Sequence, residues 1–595
     1  MTTTATDSEI IMDRNADGSI LIRSKLPLGE FQFRLTDYLA HWAAIRGNKV
    51  FLGQRSHTNP NEWETLTYAE ALSKVRSISQ ALLNRKVSAT NPVAILSENS
   101  IDHALIAMAC LHIGVPFSAV SPAYSLRSKD FDKLRHVFRL LTPGLIFVSD
   151  ANQYRNALIA VADDITVVSA TVPDYKLNFI AFDELLRTPA GNAVDIAHDS
   201  IQPGATAKVL FTSGSTGLPK GVINTHENLT ANLQQITQTF PFLRDEDLEL
   251  IDWLPWNHTF GGNHNFGITL FNGGSLYIDN GNPTAEGIRE TVRNLRERTP
   301  TTYFNVPRGF EMLVPVLRRD SELRKQFFSK LKMLFYAGAG MAQHVWNELE
   351  NLSVQETGEK ILIATGLGCT ESCPSALFAS KPGGFSGLLG VPVAGLELKL
   401  VPREGKMEAR YRGKNVFPGY WRQPELTAKV FDDEGYYCTG DALLFADEND
   451  PGRGMLFNGR IAEDFKLSTG TWVSVGTLRA QLIAEGNGLI QDAVITGHDQ
   501  DFIGAIVFLR NDIKLNEDQP DRELRNILRR LADKSTGSST FVRRAVIADF
   551  ILSLDKGEIT DKGSINQRAI INNHPEMIDR IYSINHSSID IGEHQ

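Results

Sequence analysis

One stretch of this chain has residue types and spacing suited to holding a polyanion. It is TSGSTGLPKG, Thr212 to Gly221, preceded by Lys208-Val-Leu-Phe211 and followed by Val222 and Ile223. Gly214, Gly217 and Gly221 let successive backbone N–H groups turn inward as an anion nest. Thr212, Ser213, Ser215 and Thr216 add hydroxyl donors, and Lys220 adds a compact positive charge. The loop reads as a polyphosphate cradle; the plain alternative is a Gly/Ser turn between two strands. It is not the P-loop of common NTPases, because the GxxxxGK[ST] spacing is absent. His258 and His264, in WLPWNHTFGGNHNFG, lie six apart with no Cys or acidic partner at ligand spacing, which disfavours a metal pair. Cys369 and Cys373 likewise lack the CxxC spacing of zinc sites. Asn272-Gly-Gly-Ser275 reads as a hairpin turn between Thr269-Leu-Phe271 and Leu276-Tyr-Ile278, rather than as a phosphopantetheine attachment serine.

Apolar flanks on both sides of the cradle call for strands, and the wider pattern agrees. Thr67-x-x-Glu70 forms a capping box ahead of Leu72, Val75, Ile78 and Leu82 at helical spacing. Val93 to Leu96, helix-like Ile101 to His112 and apolar Gly114 to Val120 make a β-α-β unit. Similar alternation recurs through Leu145 to Val148, Ile165 to Val168, Tyr303 to Phe304, Met333 to Tyr336 and Ile361 to Ala364. The prediction is an α/β fold: a large N-terminal domain of parallel-rich sheets covered by helices, residues 1–461. From about Lys399 to Phe445 short alternating runs with Gly and Pro turns predict a small antiparallel β subdomain, about 399–461. Beyond Arg460, strands at Ala493 to Thr496, Ala505 to Leu509 and Arg544 to Ala548, and a helix with Leu524, Ile527, Leu528 and Leu531 on one face, predict a small α+β C-terminal domain, residues 462–595.

At 595 residues the chain is too long for one core. Hydrophobic residues at 42% and charged residues at 22% are those of a globular protein, and a net charge of −10 argues against a nucleic-acid surface. Four cysteines supply no disulfide framework, which fits a reducing cytoplasm. MTTTATDSEIIMDRNADG has neither a basic n-region nor an apolar h-region, so no secretory signal is expected. Ala104 to Val120 is broken by His112, Gly114 and Pro116, so no membrane span is expected there.

Five motifs occur in order: TSGSTGLPKG; GLGCTE, Gly366 to Glu371; RGKNVFPGYWRQPE, Arg412 to Glu425; YYCTGD, Tyr436 to Asp441; and Gly459-Arg460. In order and spacing the chain resembles the adenylate-forming superfamily of acyl-CoA synthetases, luciferases and peptide-synthetase adenylation domains, from about Thr36 to Arg568. The resemblance implies attack of a carboxylate on the α-phosphorus of ATP, giving an acyl-adenylate and pyrophosphate. Two anions must meet, so positive charge and oriented donors have to gather there. It also implies roles. Thr212, Ser213, Gly214, Ser215, Thr216, Gly217 and Lys220 would hold the β- and γ-phosphates. Thr370 would donate to the α-phosphate, and Glu371 would bind Mg²⁺. Asp441 would accept the ribose hydroxyls, with Arg460 beside the ribose or phosphate. Gly338 and Ala339, in Tyr336-Ala-Gly-Ala-Gly340, would line the adenine together with Gly366, Leu367 and Gly368; Leu367 stands where the family carries an aromatic ring. His258 would sit beside the acyl carboxylate, and Phe260, Gly261, Asn263 and Gly366 are candidates to line the acyl slot.

Two positions depart from the superfamily pattern. The hinge residue, usually Asp or Lys, is Ala462, and the usual C-terminal catalytic lysine position is Ser564 in ITDKGSINQR. Lys562 takes the role of α-phosphate stabiliser in this reading, with Lys556 as second candidate. GRIAEDFKLSTGTWVSVG, DWLPWNHTFGGNHNFG, SPAYSLRSKDFDKLRH (Ser121 to His136) and GEITDKGSINQR resemble feruloyl-CoA synthases and close aryl-propenoate CoA ligases. That narrower resemblance implies a hydroxycinnamic acid, ATP, Mg²⁺ and coenzyme A as reactants and cofactors, and a C-terminal domain that rotates between two half-reactions. No nucleic acid or membrane partner is expected, and the oligomeric state stays open, a homodimer being one option. A carrier-loading adenylation enzyme, a luciferase-like oxygenase and a non-catalytic nucleotide-binding relative remain as competing readings.

Overall fold

The computed structural model describes residues 9–85, 87–213, 217–245, 247–510, 519–535, 537, 539–560, 563–583 and 588–592. Its seven-stranded sheet runs Pro219–Thr225, Thr206–Ser213, Phe117–Ala119, Val93–Leu96, Leu145–Val148, Thr166–Ser169, Phe179–Ala181. The order is mostly parallel, and only the Pro219–Thr225 edge strand is antiparallel to its neighbour. Alternate residues explain why both faces are covered. Val93, Ile95, Leu145 and Phe147 pack against helices Tyr68–Leu83 and Ile101–His112, whereas Ala94, Leu96, Ile146 and Val148 pack against Asp132–Leu141 and Arg155–Val161. The predicted capping box is present: Glu70 N–H donates to Thr67 Oγ1 at 3.3 Å, and Thr67 N–H donates to Glu70 Oε2 at 2.9 Å.

The segment 399–461 carries the expected antiparallel strands, and they belong to a second, larger sheet. Its strands Leu396–Arg403, Lys406–Gly413, Tyr437–Phe445 and Met455–Arg460 continue into Leu388–Pro392, Ser375–Ala379, Leu362–Gly368, Met333–Tyr336 and Thr302–Asn305, and the N-terminal hairpin Ile10–Arg14 and Ile20–Ser24 closes the far edge. Leu388–Pro392 joins the two halves by pairing with both Met455–Arg460 and Ser375–Ala379. An unpaired strand edge costs hydrogen bonds, and the hairpin covers the edge of Leu396–Arg403 with Leu398 opposite Ile22.

Asn272 to Ser275 is not a hairpin turn. Helix Phe266–Asn272 ends at Gly273, which is left-handed at φ +69°, and strand Ser275–Ile278 follows. Every residue of that helix is buried, so its sequence lacks the polar stripe that marks a helix, and a short apolar run is ambiguous.

In the C-terminal part, Ile490–Thr496, Gly504–Leu509, Arg544–Ile547 and Ile589–Asp590 form one sheet. Helices Val475–Glu485 and Gln519–Asp533 cover the face carrying Ala493, Ile495, Ala505 and Val507. Gln567–Asn573 and Pro575–Tyr582 cover the face carrying Val494, Ile506 and Phe508. Among the described residues, no helix is long and apolar enough to cross a membrane. Removal of the Thr67 cap by Thr67→Ala is expected to cost about 1 kcal/mol, read as a lowered urea midpoint for the helical signal.

Candidate active site

The cradle joins strands Thr206–Ser213 and Pro219–Thr225, with Thr212 opposite Lys220 and Gly217 at φ +86°. Gly214, Ser215 and Thr216 lie outside the described residues. The exposed edge of Pro219–Thr225 is covered by segment 419–421: Ile223 N–H donates to Gly419 O at 3.2 Å, and Trp421 N–H donates to Gly221 O at 2.7 Å. This pairing brings Tyr420 to Lys220. Lys220 Nζ lies 2.5 Å from Tyr420 Oη and 3.0 Å from Glu371 Oε1, and Tyr420 Oη donates to the same Oε1 at 3.0 Å. Burial pushes the Glu371 carboxyl up, but the charge and hydrogen bond of Lys220, aided by Tyr420, hold it below its ordinary value.

Glu371 comes from the second sheet. It follows strand Leu362–Gly368 in a short 3₁₀ turn, Thr370–Ser372, and Asn224 Nδ2 of the cradle's second strand donates to Thr370 O at 3.1 Å. The two sheets are thus stitched together at the reactive centre. On the far wall, Asp441 and Arg460 face each other across adjacent strands, with Arg460 Nε 3.2 Å from Asp441 Oδ1. That oxygen is buried, with Arg460 as its charged partner. Burial raises the Asp441 carboxyl above its ordinary value, and Arg460 opposes the rise. Gly338, Ala339 and Gly368 are exposed and Gly366 and Leu367 half-buried; a Cβ built on Gly338 or Gly340 would meet open space.

His258 caps the start of a π-helical turn, Thr259–Asn265, and is half-buried. Gly261 and Gly262 press that turn onto 254–256: a Cβ would lie 2.3 Å from Leu254 O at Gly261 and 2.2 Å from Trp256 O at Gly262. Asn263 Nδ2 donates to Asn224 Oδ1 at 2.8 Å and to Thr259 Oγ1 at 2.9 Å. Phe260 stands apart from them. It meets Phe335 at 5.8 Å and Phe304 at 6.3 Å between ring centroids, and Phe335 meets Phe378, which pairs with Gly366. His264 lies in the same cluster, 5.2 Å from Phe335, with Nδ1 on Asn265 Oδ1 at 2.9 Å; burial pushes it down to about 4, so it is neutral at pH 7.

Ala462 is exposed in the 3₁₀ turn Ile461–Glu463, between strand Met455–Arg460 and the ribbon Phe465–Lys466 with Trp472–Val473. Lys406 spans this junction, donating to Asn458 O at 2.7 Å and Ser474 Oγ at 3.1 Å and pairing with Asp464. Lys562 lies outside the described residues; Ser564 and Lys556 are both exposed.

Among the described residues no group of three His, Cys, Asp or Glu is placed to hold a metal. Glu371 offers one buried carboxylate beside the cradle. Mg²⁺ is commonly held by one or two carboxylates, with phosphate oxygens and water completing its shell, so the donor set fits an ion that arrives with a nucleotide.

Comparison with known proteins supports this fold. Residues 39–421 match the AMP-binding enzyme family and residues 465–586 the AMP-binding enzyme C-terminal domain, and the chain belongs to that family. Membership supports the class of AMP-forming acid–CoA ligases. Long-chain-fatty-acid–CoA ligase 6 of Homo sapiens is 25% identical over 494 residues, covering 72% of this chain and 67% of its own. 4-Coumarate–CoA ligase 3 of Arabidopsis thaliana is 25% identical over 463 residues, covering 74% and 76%. The crystal structure of the anthranilate CoA ligase AuaEII with anthranoyl-AMP superposes with a TM-score of 0.69 at 19% identity, covering 92% of this chain and 98% of that one, which shows a shared fold.

Sequence reasoning missed Tyr420, Asn224, the Phe304, Phe335 and Phe378 rings, and Lys208. Tyr420 lies within a quoted motif, yet its pairing with Lys220 is visible only in space. Lys208 begins the apolar run before the cradle and is 5% exposed. Its Nζ donates to Gly262 O at 3.3 Å and sits 5.1 Å from the Phe117 ring centroid, so it holds the π-helical turn from below. Burial pushes its pKa down to about 8 from 10.5. The buried charge therefore costs stability fully below pH 8, and the cost fades as pH rises towards 10.5. Lys208→Met is expected to raise the stability of this region at pH 7 by about 2 kcal/mol, after allowance for the lost hydrogen bond, with the gain shrinking at alkaline pH. Urea midpoints for both proteins across that range check the sign.

Proposed function

We propose that the chain is an ATP-dependent ligase that joins a hydroxycinnamic acid, such as ferulate, p-coumarate or caffeate, to coenzyme A through an acyl-adenylate. The observation that carries this reading is the ring wall of Phe260, Phe304, Phe335 and Phe378, built beside the strand that leads to Thr370 and Glu371. A flat, mostly apolar acid with one polar end suits such a slot. Similarity to a 4-coumarate–CoA ligase points the same way, while similarity to fatty-acid ligases keeps another aromatic or fatty acid, or a carrier-loading adenylating enzyme, as the alternative.

In this reading the acid's carboxylate attacks the α-phosphorus, a C–O–P linkage forms, and the bond to pyrophosphate breaks. The cradle and Lys220 grip the departing phosphates, Lys220 exchanging Glu371 for phosphate oxygen as its partner. Glu371 would hold the Mg²⁺ that enters with the nucleotide, and that ion would neutralise phosphate charge. Thr370 orients the α-phosphate, Asp441 accepts the ribose hydroxyls with Arg460 alongside, and Gly338, Ala339 and Leu367 flank the adenine. His258 and Phe260 position the acid. Residues 462–595 then turn about Ala462 relative to residues 1–461, Lys562 leaves the α-phosphate, and the CoA thiolate attacks the acyl carbon to displace AMP.

A panel of acids supplied with ATP, Mg²⁺ and CoA, followed by AMP release and thioester absorbance, tests the reading. Hydroxycinnamates should exceed a long-chain fatty acid by at least about 100-fold in kcat/KM; preference for the fatty acid would overturn the substrate assignment, and oxygen uptake would favour the luciferase-like alternative. Asp441→Asn and Glu371→Gln should each lower ATP–pyrophosphate exchange by about 100-fold or more. Lys562→Ala should damage adenylation far more than thioester formation from preformed acyl-AMP; equal damage would move the role to Lys556 or elsewhere.

A further inference from the structure

Segment Ser121 to His136 carries no role in the reaction just described, yet it connects the C-terminal part to the cradle. After the π-helical turn Ala123–Arg127 the chain reverses at Phe131, which is left-handed at φ +56°, and enters helix Asp132–Leu141. On one side His136 Nε2 lies 2.8 Å from Pro219 O, in the second strand of the cradle. On the other side the segment receives the loop 553–558. Ser128 Oγ donates to Asp555 Oδ1 at 2.8 Å, Lys129 N–H donates to Asp555 Oδ2 at 3.1 Å, and Lys133 Nζ donates to Leu554 O. Leu554 packs against the apolar cluster that includes Leu134, Phe211 and Trp421.

Loop 553–558 is rigid on its own side. Glu558, 1% exposed, accepts Ser553 N–H at 2.8 Å and Asn573 Nδ2 at 3.1 Å, and pairs with His574 Nε2 at 3.0 Å. A short bridge follows, with Ile559 opposite Ile565 and Thr560 N–H donating to Ser564 O at 2.8 Å. A carboxylate clamped at Asp555 therefore sets where the Ile559–Ile565 bridge stands. Both of its oxygens take donors from the N-terminal part, and such charge-assisted bonds are about twice as strong as neutral ones.

We propose that Asp555 is a positioning residue: by docking onto Ser128 Oγ and Lys129 N–H it holds loop 553–558, and the Ile559–Ile565 bridge that follows it, against the segment that leans on the cradle strand for the half-reaction on ATP, and the contact must break before the second half-reaction. The inference rests on the two-step ligase reading above. Nothing in it requires Asp555 to touch a substrate.

The test uses the full-length protein with the best acid of the panel. Asp555→Ala should lower the rate of ATP–pyrophosphate exchange by about 10- to 100-fold and leave thioester formation from preformed acyl-AMP within about twofold. Ser128→Ala should show the same split more weakly. Equal loss in both halves, or no loss in either, overturns the proposal. A second variant does not depend on those losses. The pair Ser128→Cys with Asp555→Cys, oxidised, should give a cross-linked peptide by mass spectrometry, retain exchange and stop thioester formation until reductant is added. Unhindered thioester formation by the cross-linked protein overturns the proposal. If the cross-link forms while no acid drives exchange in the parent protein, the ligase reading fails instead, and the two failures are distinguished.

Discussion

A partly buried ion pair organises this molecule. Lys220 belongs to the edge strand of the seven-stranded sheet, Glu371 to the turn after a strand of the larger sheet, and Tyr420 to the segment that covers the edge between them. Opposite charges taken out of water are favourable only when geometry and extra hydrogen bonds compensate their desolvation, and the tyrosine hydroxyl supplies such a bond. Asn224 repeats the stitch a few residues away through Thr370 O and Asn263. The sheets consequently meet at this pair; in the proposed reaction a phosphate would replace Glu371 as the partner of Lys220, and the Mg²⁺ that enters with the nucleotide would take the freed carboxylate.

Around this seam the remaining features fall into walls. Alternation along the parallel strands puts Phe304 and Phe335 on the face towards the seam, while their neighbours Tyr303, Leu334 and Tyr336 pack into the helical layer behind. The π-helical turn supplies Phe260 to the same wall. It lies flush only because Gly261 and Gly262 allow backbone to touch backbone, and because Lys208 ties Gly262 O to the strand beneath. Asp441 stands opposite, paired with Arg460. Gly338 and Gly340 leave open space around their backbone.

The C-terminal part touches this frame at separated places. Lys406 clasps both sides of the junction at Ala462, and Asp555 reaches the segment that leans on the cradle strand. Polar contacts of this kind can be exchanged at modest cost, unlike the wide interdigitation within each core. In the proposed two-step reaction that difference would let the C-terminal part move about a fixed cradle.

The amino-acid sequence by itself determined the cradle, the alternation of strands and helices, the capped helix after Thr67 and the residues that name the family, because these depend on local spacing and backbone preference. The particular strands at Leu145–Val148 and Met333–Tyr336 were legible to the residue for that reason. Tertiary structure alone decided that the antiparallel strands after Lys399 join the larger sheet through Leu388–Pro392, that Phe266–Asn272 is a helix, and that Phe260 meets the Phe304 and Phe335 rings. Each of these turns on which distant surface a segment meets. Hydrogen-bond partners for a sheet edge, a wholly buried helix without a polar stripe, and the pairing of Lys220 with a glutamate 151 positions onward are long-range choices that no local pattern encodes.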